Sequence, residues 1–174
     1  AIMPMIILTC LASKLSNKQV IWVEDRLEHL TAASSATGRL TKLRASINEK
    51  GLIEALDYDQ IDDVGAYPRA PEPASLYRMH GNLSGAYKVK NIRCRNRVVL
   101  TNKTPSGLNR GFGGPQHYFA LERLVHQIAV ELNLNVLDVI KVNLLEKKQF
   151  PYKSPSGALL DSGDFQKLVR KVVK

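Results

Sequence analysis

The sequence predicts an α+β domain in which a mixed or antiparallel sheet with a β-hairpin has helices packed on one side. Three observations lead there. Residues 39–48 and 52–59 alternate apolar and polar side chains on either side of Glu49-Lys50-Gly51, as two strands joined by a tight turn would. Arg93, Arg95 and Arg97 alternate with Ile92, Cys94 and Val98, so a strand there lines three guanidinium groups along one face. From residue 116 to 132, Phe119, Ala120, Leu124, Ile128, Ala129 and Leu132 recur at helical spacing.

The elements follow in chain order. Residues 2–15 are largely apolar and begin with neither a helix cap nor a loop. The run contains Pro4 and falls short of the roughly 20 apolar residues a membrane span needs. It also has no basic leader or evident cleavage site, so no signal peptide is expected. Ser16-Asn17-Lys18 reads as a turn, and residues 19–23, rich in β-branched and aromatic side chains, as a short buried strand. Asp25 can cap a helix running through Leu30, which the small residues 32–38 terminate. After the hairpin, residues 57–63 are acidic and residues 65–73 hold prolines and a glycine, so a loop is expected, with a helix resuming over 74–83. A basic strand over 92–100 and a long glycine-bearing loop over 101–114 precede the helix of 116–132. Asn135 caps a further helix over 136–145, and Asp164 caps a terminal one over 165–173 after a loop at 151–163.

The 174 residues suffice for one domain with its own core, and 44% hydrophobic with 24% charged residues is an ordinary globular balance that excludes disorder and a collagen-like fold. Cys10 and Cys94 are too few for a disulfide framework and have no metal-ligand spacing, which argues against zinc or iron–sulfur ligation and for two reduced structural thiols in a cytoplasmic protein. His29, His80, His117 and His126 share no metal spacing either. Neither Ser106-Gly107 nor Ser156-Gly157 has a nucleophile-elbow frame, and Asp161 with Asp164 fits a turn and cap. The net charge of +9 raises nucleic-acid binding through Arg93, Arg95 and Arg97, flanked by Lys88, Lys90 and Lys103. No nucleic-acid signature accompanies the patch, and with 6% aromatic residues stacking platforms are scarce. A solvated or subunit-facing surface and an attraction for an anionic cofactor or acidic partner stand beside that reading.

The chemistry is concentrated at Asn109-Arg110-Gly111-Phe112-Gly113-Gly114-Pro115-Gln116. Three glycines permit close ligand approach, and Pro115 suits the first turn of a helix, whose missing amide proton would be unpaired anyway. The product is a helix start with free amides, fronted by a cation and an aromatic ring, suited to an anionic or planar ligand. The competing reading is a plain helix-start turn with Phe112 plugged into the core.

This stretch resembles the molybdenum-binding large subunit of the xanthine dehydrogenase, aldehyde oxidase and aerobic carbon monoxide dehydrogenase family. The resemblance runs in order through VIWVEDRLEH at 20–29, GAYKVKNIR at 85–93, Thr101-Asn102, RGFGGPQ at 110–116, FPY at 150–152 and DSGDF at 161–165, covering nearly the whole chain. It implies that the chain is a single domain, residues 1–174, forming part of the molybdopterin-binding region of a larger subunit. The loop of Arg110, Gly111, Phe112, Gly113 and Gly114 would then lie beside the molybdopterin and its metal, with Phe112 stacking on an aromatic substrate. By its distance from the loop, Arg78 falls where xanthine-oxidising members stabilise charge developing on the substrate; a surface salt bridge or a cap is its alternative role.

The resemblance further implies hydroxylation of an aldehyde or N-heterocycle with water, a molybdopterin cofactor alone or as the cytosine dinucleotide, and iron–sulfur clusters and FAD on partners. The partners would be the rest of the molybdenum subunit, an iron–sulfur subunit and a flavin subunit. Departures narrow this. Carbon monoxide dehydrogenases carry a cysteine after the loop arginine, where this chain has Gly111, so carbon monoxide oxidation is disfavoured. The family's preceding Gly-rich motif and its downstream general-base glutamate are not among these 174 residues, so the piece alone is expected to be inactive. A non-catalytic basic module binding nucleic acid or an acidic partner is the second reading.

Overall fold

The structure, a computed structural model, describes residues 3–36 and 38–173. Ile2, at the head of the apolar run, and Thr37 lie outside them. Helix α1 spans Met3–Ser16 and α2 spans Arg26–Ala32. The expected cap of α2 is present and reciprocal: Asp25 accepts from the Glu28 amide at 2.8 Å, and Glu28 accepts from the Asp25 amide at 3.0 Å. Residues 19–23 are not a strand. Among the described residues they have no ladder partner and nothing covers them, so Ile21, Trp22 and Val23 are exposed.

Strands β1 (Gly38–Ile47) and β2 (Ile53–Asp63) form the expected antiparallel hairpin. The side chain of Asn48 closes its turn by accepting from the Lys50 and Leu52 amides at 3.0 and 3.1 Å. The acidic residues 57–63 belong to β2 rather than a loop. Tyr58, Gln60 and Asp62 point inward and are buried, while Asp57, Asp59 and Asp63 point to the opposite face. Strand β3 (Asn91–Val99) lies parallel to β2, with Asp57 opposite Arg93 and Asp59 opposite Arg95, giving a mixed sheet of order β1-β2-β3.

A parallel pair needs a crossover, and residues 64–90 supply it over the same face as the helices. Within it the expected helix over 74–83 is broken into α3 (Ala74–Tyr77) and a 3-10 turn at His80–Asn82. Helices α4 (Gly114–Glu131), α5 (Val136–Asn143) and α6 (Phe165–Val172) follow, and Asn135 and Asp164 cap the last two as expected. The 151–163 segment also holds a short hairpin, β4 (Tyr152–Lys153) with β5 (Leu159–Leu160).

The core lies between the sheet and the helices. Leu56 and Tyr58 of β2 meet Leu121, Val125 and Ile128 of α4 and Val139 of α5, with Leu43, Ala45 and Ile92 at its edge. Each fully buried aliphatic side chain there contributes about 1.5–3 kcal/mol. The buried stripe of α4 is therefore 117, 121, 125 and 128; Phe119, on the expected apolar stripe, is 72% exposed. Asn143 bolts α5 to the hairpin turn, accepting from the Ile53 amide and donating to the Gly51 and Val139 carbonyls, each at 2.8 Å.

Candidate functional site

The glycine loop folds as a tight turn against the start of α4. Gly111, Phe112 and Gly113 take φ of 92°, 33° and 84°, three consecutive residues in a region that side chains other than glycine rarely enter. A Cβ on Gly111 would meet Pro115 Cδ at 2.9 Å, so glycine is required there for space as well as for conformation. The turn is held by the Phe112 amide on the Asn109 carbonyl (3.0 Å) and the Gly114 amide on the Gly111 carbonyl (2.9 Å). The Gly111 and Gly113 amides make no backbone hydrogen bond among the described residues. They lie at the positive end of an 18-residue helix, where an anionic group is stabilised.

The fold brings the two predicted substrate residues together. Arg78, at the C-terminus of α3 in the crossover, lays its guanidinium over the Phe112 ring, Cζ 5.3 Å from the centroid. Phe112 is half-buried at the surface rather than plugged into the core, and Arg110 is exposed with no ion pair among the described residues. Asn109, Arg110, Phe112, Gly113, Pro115 and Gln116 line a cavity of about 120 Å³ together with Ala36 and Gly107. A longer groove of about 840 Å³ between β1 and α4 meets it at Pro115 and Gln116.

Behind the loop sits His117, which the sequence shows only as a histidine without metal-ligand spacing. His117, in the first turn of α4, is fully buried, stacks on Tyr58 with centroids 5.3 Å apart, and directs Nε2 at the Leu83 carbonyl at 3.1 Å. Tyr58 donates to the same carbonyl at 2.8 Å. Sheet, helix and crossover thus converge on one acceptor, fixing the segment that carries Arg78 relative to the helix that carries the loop. Burial pushes His117 down to about 4, so the ring is neutral at pH 7, and Nδ1 has no hydrogen-bond partner among the described residues. The available signal was helical: residue 117 lies four positions before Leu121 on the buried stripe.

Arg93, Arg95 and Arg97 do line one exposed face of the sheet as expected, but β2 answers Arg93 and Arg97 with carboxylates. Arg93 grips Asp57 with two bonds of 2.7 Å, and Arg44 joins the same carboxylate from β1; Arg97 reaches Asp59 at 2.7 Å. These guanidinium groups hold the Asp57 carboxyl well below its ordinary range. Asp63 is drawn down to about 2 by Lys103 and Thr101. Elsewhere, Asn96 bridges Cys94 and His80, and burial pushes the Cys94 thiol up, away from the reactive thiolate. Cys10 is free and exposed on α1. No group of three metal-ligating side chains occurs among the described residues. No described helix is long and apolar enough to cross a membrane.

Comparison with known proteins bears on this geometry. Residues 1–144 match the molybdopterin cofactor-binding domain family. The chain is 29% identical over 178 residues to the carbon monoxide dehydrogenase large chain of Hydrogenophaga pseudoflava, covering 99% of this chain and 22% of that one. It is 32% identical over 131 residues to the 6-hydroxypseudooxynicotine dehydrogenase complex subunit gamma of Paenarthrobacter nicotinovorans, covering 75% of this chain and 16% of that subunit. Among solved structures, quinoline 2-oxidoreductase from Pseudomonas putida 86 superposes with a TM-score of 0.87 at 28% identity, over 98% of this chain and 22% of that one. The chain therefore spans about a fifth of the length of the relatives it matches. It belongs to the molybdopterin cofactor-binding domain family.

Proposed function

We propose that residues 1–174 are one domain of the large subunit of a molybdenum hydroxylase and that residues 110–114 form one wall of its molybdopterin site. The observation that carries this reading is the left-handed turn at Gly111, Phe112 and Gly113, with two uncommitted amides and an exposed guanidinium at a helix start, in a chain of this family. These residues fit the group. Glycine lets a bulky cofactor approach the backbone, the amides at 111 and 113 can donate to its oxygens, and Arg110 can balance its negative charge. Bound there, the cofactor supplies the redox chemistry by which oxygen from water is added to an electrophilic carbon.

The chain's own residues act on the substrate. Phe112 offers a face for a planar ring, and Arg78, already over that ring, stabilises negative charge as it develops on a substrate stacked alongside. Gly111 stands where carbon monoxide dehydrogenases place a cysteine, so an aldehyde or N-heterocycle is the substrate class rather than carbon monoxide. The cytosine dinucleotide form of the cofactor, and iron–sulfur and flavin subunits that take the electrons, belong to the same reading. Without the rest of the subunit the chain does not turn over.

Molybdenum and pterin analysis of the purified whole subunit tests the proposal. Arg110→Ala with Gly113→Val is expected to strip both from the protein, and full retention by that variant would refute the wall. The nucleic-acid module is not favoured, because the carboxylates of Asp57 and Asp59 stand between the arginines and would repel a phosphate backbone laid across them.

A further inference from the structure

The largest unexplained feature is the apolar arm at residues 3–30. Helix α1 has no buried residue, and Ile6, Ile7 and Leu8 follow one another at 100° steps, so apolar side chains face three directions around it. Past the turn, Trp22 is 53% and Val23 83% exposed, and Leu27 and Leu30 extend the same surface along α2. An all-round apolar helix is stable only when enclosed, and a patch of this extent marks a contact surface. At 14 residues α1 is about 21 Å long, short of the roughly 30 Å of a bilayer core.

The arm is not tethered at random. The stretch directly after it, residues 31–36, is clipped to the candidate site: the Gly107 amide donates to the Ser35 carbonyl at 2.9 Å, and the Thr104 hydroxyl to the Thr31 carbonyl at 3.3 Å. Ala36 lines the same cavity as Arg110 and Phe112. A Cβ on Gly107 would come within 2.6 Å of Ser34 Oγ and 2.8 Å of its Cβ, so the clip is tightly packed.

We infer that the arm of residues 3–30 is the surface on which the rest of the molybdenum subunit closes, and that the clip at Ser35 and Gly107 makes this docking place the covering wall over residues 110–114. The inference rests on the reading of the chain as part of such a subunit. The occupant follows from length: the chain matches only 22% of the Hydrogenophaga large chain, so most of a subunit of that kind lies outside it and can enclose a helix on every side.

Trp22 is the only tryptophan of the sequence, which makes its fluorescence a direct reporter. In dilute chain 1–174 its emission is expected to be that of a water-exposed indole, readily quenched by acrylamide. In the complex with the separately expressed remainder of the subunit, which has its own tryptophans replaced by phenylalanine, it shifts to the blue and quenching falls roughly threefold, as for a residue at a packed interface core. Ile7→Asp with Leu11→Asp abolishes the shift without unfolding the body, since no α1 side chain is buried. Trypsin reports the second half: cleavage after Arg110 is rapid in the lone chain and suppressed in the complex. With Gly107→Ala the Trp22 shift persists while cleavage at Arg110 returns.

A blue-shifted Trp22 in a dimer of the lone chain, or a shift produced only by phosphatidylcholine vesicles, overturns the assignment of the occupant. A complex that leaves Trp22 exposed overturns the docking surface, and Arg110 protection unchanged by Gly107→Ala overturns the clip. All these readouts are independent of cofactor content, so a docked complex devoid of molybdenum would count against the proposed function and not against the arm.

Discussion

Replacing Gly111 by alanine tests the loop geometry directly. At φ of 92° an L residue carries a backbone penalty of about 1–2 kcal/mol. The new methyl would also stand 2.9 Å from Pro115 Cδ and 3.0 Å from Cγ, atoms of a ring that cannot rotate away. Together these give a destabilisation of about 2–3 kcal/mol. Gly114 is the internal control: its φ is not positive, it begins α4, and a Cβ there has Tyr118 Cε2 at 3.8 Å as its nearest neighbour, an ordinary contact. Alanine at 114 is therefore expected to be neutral or stabilising by up to about 1 kcal/mol. Urea unfolding followed by far-ultraviolet circular dichroism separates the two. With a slope of about 2 kcal/mol per molar, Gly111→Ala lowers the midpoint by roughly 1 M and Gly114→Ala does not. Equal midpoints for Gly111→Ala and the parent chain would mean the loop relaxes freely, and the argument for a rigid, pre-shaped wall would fail.

Other perturbations follow from the same structure. His117 titrates near 4 in the fold against an ordinary 6.5, so the unfolded chain binds the extra proton first; stability is full above about 6.5 and falls as pH drops toward 4, by about 3 kcal/mol. Thermal melts across that window should lose this slope in His117→Gln, and an unchanged slope would place the titration elsewhere. Asn143→Ala leaves the Ile53 amide and the Gly51 carbonyl without their side-chain partner and is expected to cost about 3 kcal/mol by chemical denaturation; a loss below about 1 kcal/mol would contradict the bolting role. In an assembled enzyme Arg78→Ala should lower kcat/KM by about a hundredfold. Stability of that variant should change by no more than about 1 kcal/mol, as for an exposed cation–π pair.

The hairpin, the helix caps and α4 were legible because each rests on local pattern: alternation about Glu49-Lys50-Gly51, Asp25 three residues before Glu28, and apolar residues at helical spacing. Half of β2 was not, because both faces of residues 57–63 are polar. Asp57, Asp59 and Asp63 meet cations on the open side, while Gln60 and Asp62 are buried, Asp62 against Arg39 at 2.5 Å. No alternation of hydrophobicity survives such pairing. Residues 19–23 failed in the opposite sense: β-branched and aromatic composition signals that a segment wants to be covered, not that this chain supplies the cover. At the candidate site, the glycines and flanking Arg110 and Phe112 were visible as a composition without parallel elsewhere in the chain. The convergence of Tyr58 and His117 on Leu83 was not, since it joins residues 25 and 34 positions away from their acceptor through tertiary packing alone.

Leu83 sits in a stretch with little regular secondary structure, yet its carbonyl spends both lone pairs on buried donors and its amide is held by Ser156 at 3.2 Å. Releasing that one residue strands a phenol and an imidazole together, so the crossover cannot fray by itself. Its amides should exchange with deuterium as slowly as those of the neighbouring strands, making an irregular connection one of the last parts of the molecule to open.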